Sequence, residues 1–205
     1  MTLGGCPLVP HPSAFRYTGW VKASTKTRAA TPSPNPAAEP STDPEYRALL
    51  RLAGVVRGQK ARHPEEALQP VVDLAREMTN ARYAALSVSD EEDRTEGLVT
   101  SGLTRAQLRG LKVPPQGHGP LGSLRSDGKP VRIDNLDEHP ASFGFPPHHP
   151  TMKSMLGVPI WAEGQVRGSL YVTDRDGGEP FTDDDVVILL TLARHASAVV
   201  EKQWY

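Results

Sequence analysis

Three imidazoles and two phenyl rings crowd the sixteen residues from Asp137 to Met152: His139, His148 and His149 with Phe143 and Phe145, among four prolines. An irregular segment of that length is too long for a mere connector, and its prolines restrict the conformations it can sample. The phenyl rings can wall an apolar slot, while His148 or His149 supplies a ligand to iron or zinc. Structural zinc takes four protein ligands, more than this segment plainly offers. Haem takes one or two protein ligands and an apolar slot, so it suits the residues more economically. A stiff surface loop with exposed histidines accounts for the same composition.

Other chemistry-bearing runs read more plainly. Gly117-His118-Gly119-Pro120-Leu121-Gly122 has the glycine density of a phosphate cradle, but Pro120 removes an amide and no lysine follows. It reads as a tight loop entering a helix. Asp183-Asp184-Asp185 reads as the first turn of a helix, where carboxylates meet the positive end of the dipole. The chain has no G-x-x-x-x-G-K-[ST], G-x-S-x-G or H-E-x-x-H run, and no dinucleotide fingerprint follows a strand.

The elements that must position these residues begin near residue 44. Leu49, Leu50, Leu52, Val55 and Val56 predict a short amphipathic helix over 44–58. Pro64 opens a second helix at its tolerated first-turn position, with Leu68, Val71, Val72, Leu74 and Ala75 as its apolar face. Pro70 is expected to break the ladder and to delay the helix proper. Tyr83–Val88 and Leu98–Val99 read as strands, Thr104 as the cap of a helix reaching Leu108, and the stretch with Leu121 and Leu124 as a short helix. Val131–Ile133 is a brief strand. Met155–Ile160 and Val166–Thr173 read as an antiparallel hairpin bent at Glu163-Gly164. In the second of these strands Arg167, Ser169, Tyr171 and Thr173 point one way, and Val166, Gly168, Leu170 and Val172 the other. Thr182 and Asp185 form a reciprocal cap for a closing helix with a broad stripe from Val186 to Val200. His195 lies near that stripe. The pattern predicts an α+β fold with one antiparallel sheet.

Composition sets the boundaries. The chain has 205 residues, with 23 Lys and Arg against 24 Asp and Glu, a net charge of -1. That balance argues against broad capture of nucleic acid. One cysteine, Cys6, excludes an internal disulfide, a cysteine-rich metal centre and the paired thiols of covalent haem attachment. No apolar run reaches the length of a membrane span, and the first residues have neither a basic leader nor a long apolar stretch, so a cytoplasmic location is expected. Residues 1–44 hold eight of the 20 prolines and few large aliphatics. They read as a disordered leader, followed by an N-terminal helix and linker over 45–61 and one domain over 62–203.

Three runs carry a family resemblance: Leu156-Gly157-Val158-Pro159-Ile160, Gly168-Ser169-Leu170-Tyr171-Val172-Thr173-Asp174 and Phe181-Thr182-Asp183-Asp184-Asp185. Together they resemble the C-terminal half of a GAF domain. Arg82-Tyr83-Ala84, the Pro115–Leu121 region, His139-Pro140-Ala141-Ser142 and Gly144-Phe145-Pro146-Pro147-His148-His149-Pro150 narrow it further. They resemble the first GAF domain of the DosS/DevS oxygen and redox sensor histidine kinases of actinobacteria, over about residues 62–203. The resemblance implies a central antiparallel sheet with helices on one face and a ligand pocket under loops on the other. It also implies heme b, held non-covalently with His149 as proximal ligand, and a distal side at Tyr171 that binds O2, NO or CO. Phe143, Phe145, Met152, Met155, Leu156, Leu121, Leu124 and His118 are the candidate walls and margin of that pocket. Asp90 matches an acidic position of those sensors. Ser87 replaces the acid they tend to carry three residues earlier, which bears on redox tuning of the iron.

The implied role is gas or redox sensing, with the signal passed to a histidine kinase module of a two-component system or to a separate protein partner. A homodimer through the terminal helices is the family's usual route. No kinase domain is visible within these residues. A stand-alone haem enzyme for oxygen or nitrogen-oxide chemistry, and a haem-free small-molecule or protein-interaction module, are the alternative readings.

Overall fold

The computed structural model describes residues 42–92, 94–110, 120–138 and 149–205. The expected leader thus lies outside the described residues as far as residue 41, as do Phe143, Phe145, His118, His139 and His148. Asp43 caps the first helix, its carboxylate accepting from the Glu45 and Tyr46 amides at 2.8 and 3.4 Å, and Pro44 opens it. This helix, α1, spans Pro44–Val56. Its inward face is Ala48 and Leu52, while Leu49, Leu50 and Val55 are exposed. The aliphatic cluster therefore overstated what the helix buries.

The second helix, α2, runs unbroken over Pro64–Met78, correcting the expectation that Pro70 interrupts it. A proline there leaves the Glu66 carbonyl without its helical donor. The Gln59 side-chain amide fills that role, donating to Glu66 O at 2.6 Å. Strands β1 (Ala81–Ser89) and β2 (Thr95–Ser101) follow, then the short α3 (Arg105–Gly110), α4 (Pro120–Asp127) and β3 (Val131–Ile133). Strands β4 (Met155–Ala162) and β5 (Gln165–Arg175) form the expected hairpin. Glu163 and Gly164 at its bend both have positive φ, 50° and 72°, the backbone that a type I′ turn demands.

The closing helix, α5, spans Asp183–Gln203 and begins with the reciprocal cap. Thr182 Oγ1 accepts from the Asp185 amide, and the Asp185 carboxylate accepts from the Thr182 amide at 2.8 Å. The sheet order is β2-β1-β5-β4-β3, with every pairing antiparallel. This is the predicted α+β architecture. The main core lies on the face covered by α1, α2 and α5, where Leu86, Val158, Leu170 and Val172 meet Leu68, Val72, Leu189 and Leu192. A second, smaller apolar cluster lies on the opposite face. Among the described residues no helix is long and apolar enough to cross a membrane.

Candidate functional site

Strand alternation decides which side chains reach the second face. Leu170 and Val172 belong to the helix-side core, whereas Tyr171 joins Tyr83, Ala85, Ile133, Leu136, Met152 and Met155 on the other side. Cross-strand pairing brings these residues together from distant parts of the chain. Ala85 and Gly157 flank Tyr171 on β1 and β4. Tyr83 and Met155 flank Thr173, and Ile133 lies beyond Met155 on β3.

Helix α4 covers part of this face. Leu124 is buried and sits over Gly157, where an added Cβ would lie 2.6 Å from Leu124 Cδ1 and 3.4 Å from Tyr171 Cβ. Leu121, one turn earlier, is half-buried against the same cluster. Tyr171, Met152, Met155, Leu121 and Leu124 are therefore brought together as expected. Leu156 is not. It pairs with Val172 and is wholly enclosed in the helix-side core, because neighbouring residues of a strand project to opposite faces. Its assignment to the pocket wall is corrected accordingly.

The segment leading into β4 is pinned at several points. The Lys153 and Ser154 amides donate to one carboxylate oxygen of Asp174 at 2.7 and 3.2 Å. The Leu136 amide donates to Lys153 O at 2.7 Å. His149 is half-buried at the start of this segment, three residues before Met152. Its Nδ1 lies 2.7 Å from the Pro150 carbonyl oxygen. A carbonyl only accepts, so Nδ1 is the donor in this contact.

Two hydroxyls on the second face have no hydrogen-bond partner among the described residues. Tyr171 is 9% exposed, and no hydrogen bond joins its hydroxyl to the described residues. Burial pushes the phenol well above its ordinary pKa, so it stays protonated and able to donate. Thr173 is 2% exposed, and its buried Oγ1 has no partner. Next along β5, Ser169 Oγ and Ser87 Oγ share a hydrogen bond of 3.0 Å across the strand pair. Arg167 follows on the same side. Asp90 lies in the β1–β2 turn, tied to Arg94 by a 2.7 Å ion pair, and His195 is half-buried on α5. An open groove lies beyond the end of α4, lined by Arg125, Asp127, Gly128, Trp161 and Gln165.

Sequence reading missed Ala85, Ile133, Leu136 and Thr173 as site residues. Thr173 was within reach, being two positions from Tyr171 on one strand. The others depend on which strands pair and in what register, which no local pattern encodes.

Comparison with known proteins agrees with this fold. The GAF domain of a phosphoenolpyruvate-protein phosphotransferase from Coxiella burnetii superposes with a TM-score of 0.66 at 23% identity, covering 79% of this chain and 96% of that one. The free methionine-R-sulfoxide reductase of Neisseria meningitidis, in complex with its substrate, gives 0.60 at 18% identity, with 78% and 92% covered. A far-red absorbing protein with bound biliverdin gives 0.56 at 15% identity, with 77% and 99% covered. Residues 61–201 match the GAF domain family, a family of sensory and ligand-binding modules, and the chain belongs to it.

Proposed function

We propose that this GAF domain binds b-type haem on the second face of its sheet, with His149 as the proximal ligand and Tyr171 as the distal hydrogen-bond donor. In this reading it senses a diatomic gas or redox state and signals to a kinase module or separate partner. The observation that carries it is Tyr171: a protonated phenol on a largely buried residue, with no hydrogen bond to the described residues, flanked by Ala85 and Gly157 and set among apolar side chains. Two residues along the strand, Thr173 Oγ1 is buried without a partner among the described residues; leaving such a hydroxyl unbonded costs about 1–3 kcal/mol, so this face suits a polar ligand from outside the chain. His149 supports the same reading, because its Nδ1–H donates to Pro150 O, the kind of second hydrogen bond that orients a metal-bound imidazole. Met152, Met155, Leu121 and Leu124 would contact the porphyrin, with Phe143, Phe145 and His118 as further proposed lining.

Haem held by His149 would supply an iron that takes O2, NO or CO. The remaining work falls to the chain. Tyr171 holds a proton toward the pocket, the apolar cluster excludes water, and the pinned segment 149–155 ties His149 to Leu136 and Asp174. For signalling, two ligand states must differ in their contacts with a bistable element. The proposed output elements are segment 149–152, α5 and α1. The GAF-fold structure with bound biliverdin holds an open-chain tetrapyrrole, a different cofactor from the one proposed here.

The test is a hemin titration of the purified chain. A Soret band at one hemin per chain is expected, abolished or strongly shifted in His149→Ala. Tyr171→Phe should weaken O2 binding roughly tenfold, the equivalent of one hydrogen bond of about 1.4 kcal/mol, and leave CO nearly unchanged. A wild-type protein with no Soret band returns the chain to the haem-free GAF modules.

A further inference from the structure

The polarity of the site changes along β5. Thr173 and Tyr171 lie among Tyr83, Met155, Ile133 and Met152; then come the Ser169–Ser87 pair and Arg167. From Tyr171 to Arg167 is four residues, or about 13 Å along a strand. Arg167 is only 7% exposed. One face of its guanidinium stacks on the Tyr205 ring at 4.9 Å. Among the described residues its one ion-pair contact is long, 3.6 Å to a Glu91 carboxylate that is itself 71% exposed, and its Nε–H is buried with no partner.

A second guanidinium approaches the same corner. Arg125, on α4, donates through Nη2 to the Ser89 hydroxyl, and the Tyr205 hydroxyl donates to the Ser89 carbonyl at 2.5 Å. Ser89 follows Val88, whose partner Gly168 is the chain neighbour of Arg167, and the Tyr205 ring that Arg167 stacks on carries the hydroxyl bonded to Ser89. Two guanidiniums, three serines and a phenol therefore gather at one end of a site whose other end is apolar. Stability does not account for this arrangement. An under-paired buried cation is usually less stable than an apolar side chain of like volume.

We infer that the Arg167–Arg125 corner binds the carboxylate of an amphipathic ligand whose apolar body lies over Tyr171, Met155 and Tyr83. This rests on the proposed site at Tyr171 and adds its ligand class: a planar apolar body with an acidic end, of which a tetrapyrrole carboxylic acid is one. Arg167 supplies the buried Nε–H, and Arg125 approaches from α4. Guanidinium donors suit carboxylates because they give charge-assisted hydrogen bonds in a fixed fork.

The experiment uses two matched probe pairs on the whole chain. Anilinonaphthalene sulfonate and the uncharged phenylnaphthylamine are titrated by fluorescence; hemin and its dimethyl ester are titrated by absorbance. Arg167→Met should weaken the anionic member of each pair at least tenfold and leave its neutral partner within twofold, with Arg167→Lys intermediate. Arg125→Met should act in the same direction, and it reads the same corner if Arg167→Met fails to fold by circular dichroism. Equal effects on charged and neutral probes, no effect on either, or no binding of the naphthyl probes to wild type overturns the inference. If hemin fails to bind while the naphthyl pair behaves as expected, the haem reading falls and the anionic corner stands. If hemin binds but its esters and the arginine variants make no difference, the corner falls and the haem reading stands.

Discussion

Thr173→Val offers a direct measure of how this face is built. Replacing threonine by valine in a core ordinarily destabilises, because a bonded hydroxyl is lost. At position 173 the sign should reverse. The Oγ1 atom is buried and has no partner, so the wild-type protein carries a desolvation cost of about 1–3 kcal/mol for that hydroxyl. Valine keeps the branched shape and the χ1 preference of threonine, and it places a methyl beside Tyr83 and Met155, the residues that pair across from Thr173. Stability should therefore rise by about 1–2 kcal/mol, which for a domain of this size is a melting shift of about 2–8 °C. Thr79→Val is the matched control. Thr79 is fully buried too, but its hydroxyl donates to the Ala75 carbonyl at 2.7 Å, so valine should cost about 1 kcal/mol there. Urea titration of both variants gives the comparison, with the midpoint moving and the slope unchanged. If Thr173→Val loses stability to the same extent as Thr79→Val, the hydroxyl has a partner and the reasoning about this face is wrong.

Two further outcomes follow from the packing. At Gly168 an added Cβ would lie 2.1 Å from the Ser87 carbonyl oxygen, and that atom is backbone in a paired central strand. Gly168→Ala should cost about 3 kcal/mol or more, at the upper end of overpacking. At Gly157 the one atom under 3 Å from an added Cβ is the flexible tip of Leu124, with Tyr171 Cβ at an ordinary 3.4 Å, so Gly157→Ala should cost about 1 kcal/mol; equal urea midpoints for the two would refute the distinction. His195 is half-buried, and desolvation holds its imidazole below its ordinary value near 6.5. The unfolded chain therefore takes up the proton first as pH falls. The stability from this residue is complete above about pH 6.5 and declines below it toward the lowered folded value. His195→Gln should flatten that decline between pH 7.5 and 5.5 in urea midpoints; an identical fall in both proteins contradicts it.

Much of the scaffold was legible because its signals are local. The period-two pattern of β5, the Glu163-Gly164 bend and the Thr182–Asp185 cap each act within a few residues and appear where the pattern puts them. Pro70 misled because its remedy is supplied from outside the helix, by Gln59. Leu49 and Leu50 misled because an aliphatic run does not say which arc of a helix meets the sheet. Leu156 failed for a different reason. Its neighbours Met155 and Gly157 do face the site, and proximity in sequence to a loop outweighed the alternation that sends adjacent residues apart. The basic corner was invisible, since Arg125 and Arg167 are 42 positions apart and meet only through Ser89 and the sheet register.

The distribution of satisfied and unsatisfied polar groups bears on how the two faces divide their work. In the helical layer the buried polar side chains are paired: Thr79 to the Ala75 carbonyl, Thr191 to the Val187 carbonyl, and Asp185 to Thr182. Among the described residues, the two buried side-chain atoms without partners are Arg167 Nε and Thr173 Oγ1. Both belong to β5, and both lie on the side away from the three-helix layer. Chance would scatter such atoms over the whole interior; here they bracket Tyr171 on one strand. The larger core supplies the stability that lets the smaller face retain costly polar groups, the usual trade between stability and binding. The hairpin register keeps that division sharp. Moving β5 by a single residue would send Tyr171 into the aliphatic core and Leu170 into the site. The backbone approach at Gly168, the tight bend at Glu163-Gly164 and the Asp174 contacts to Lys153 and Ser154 all oppose such a slip. Substitutions that loosen the hairpin should therefore degrade ligand binding before they unfold the helical layer.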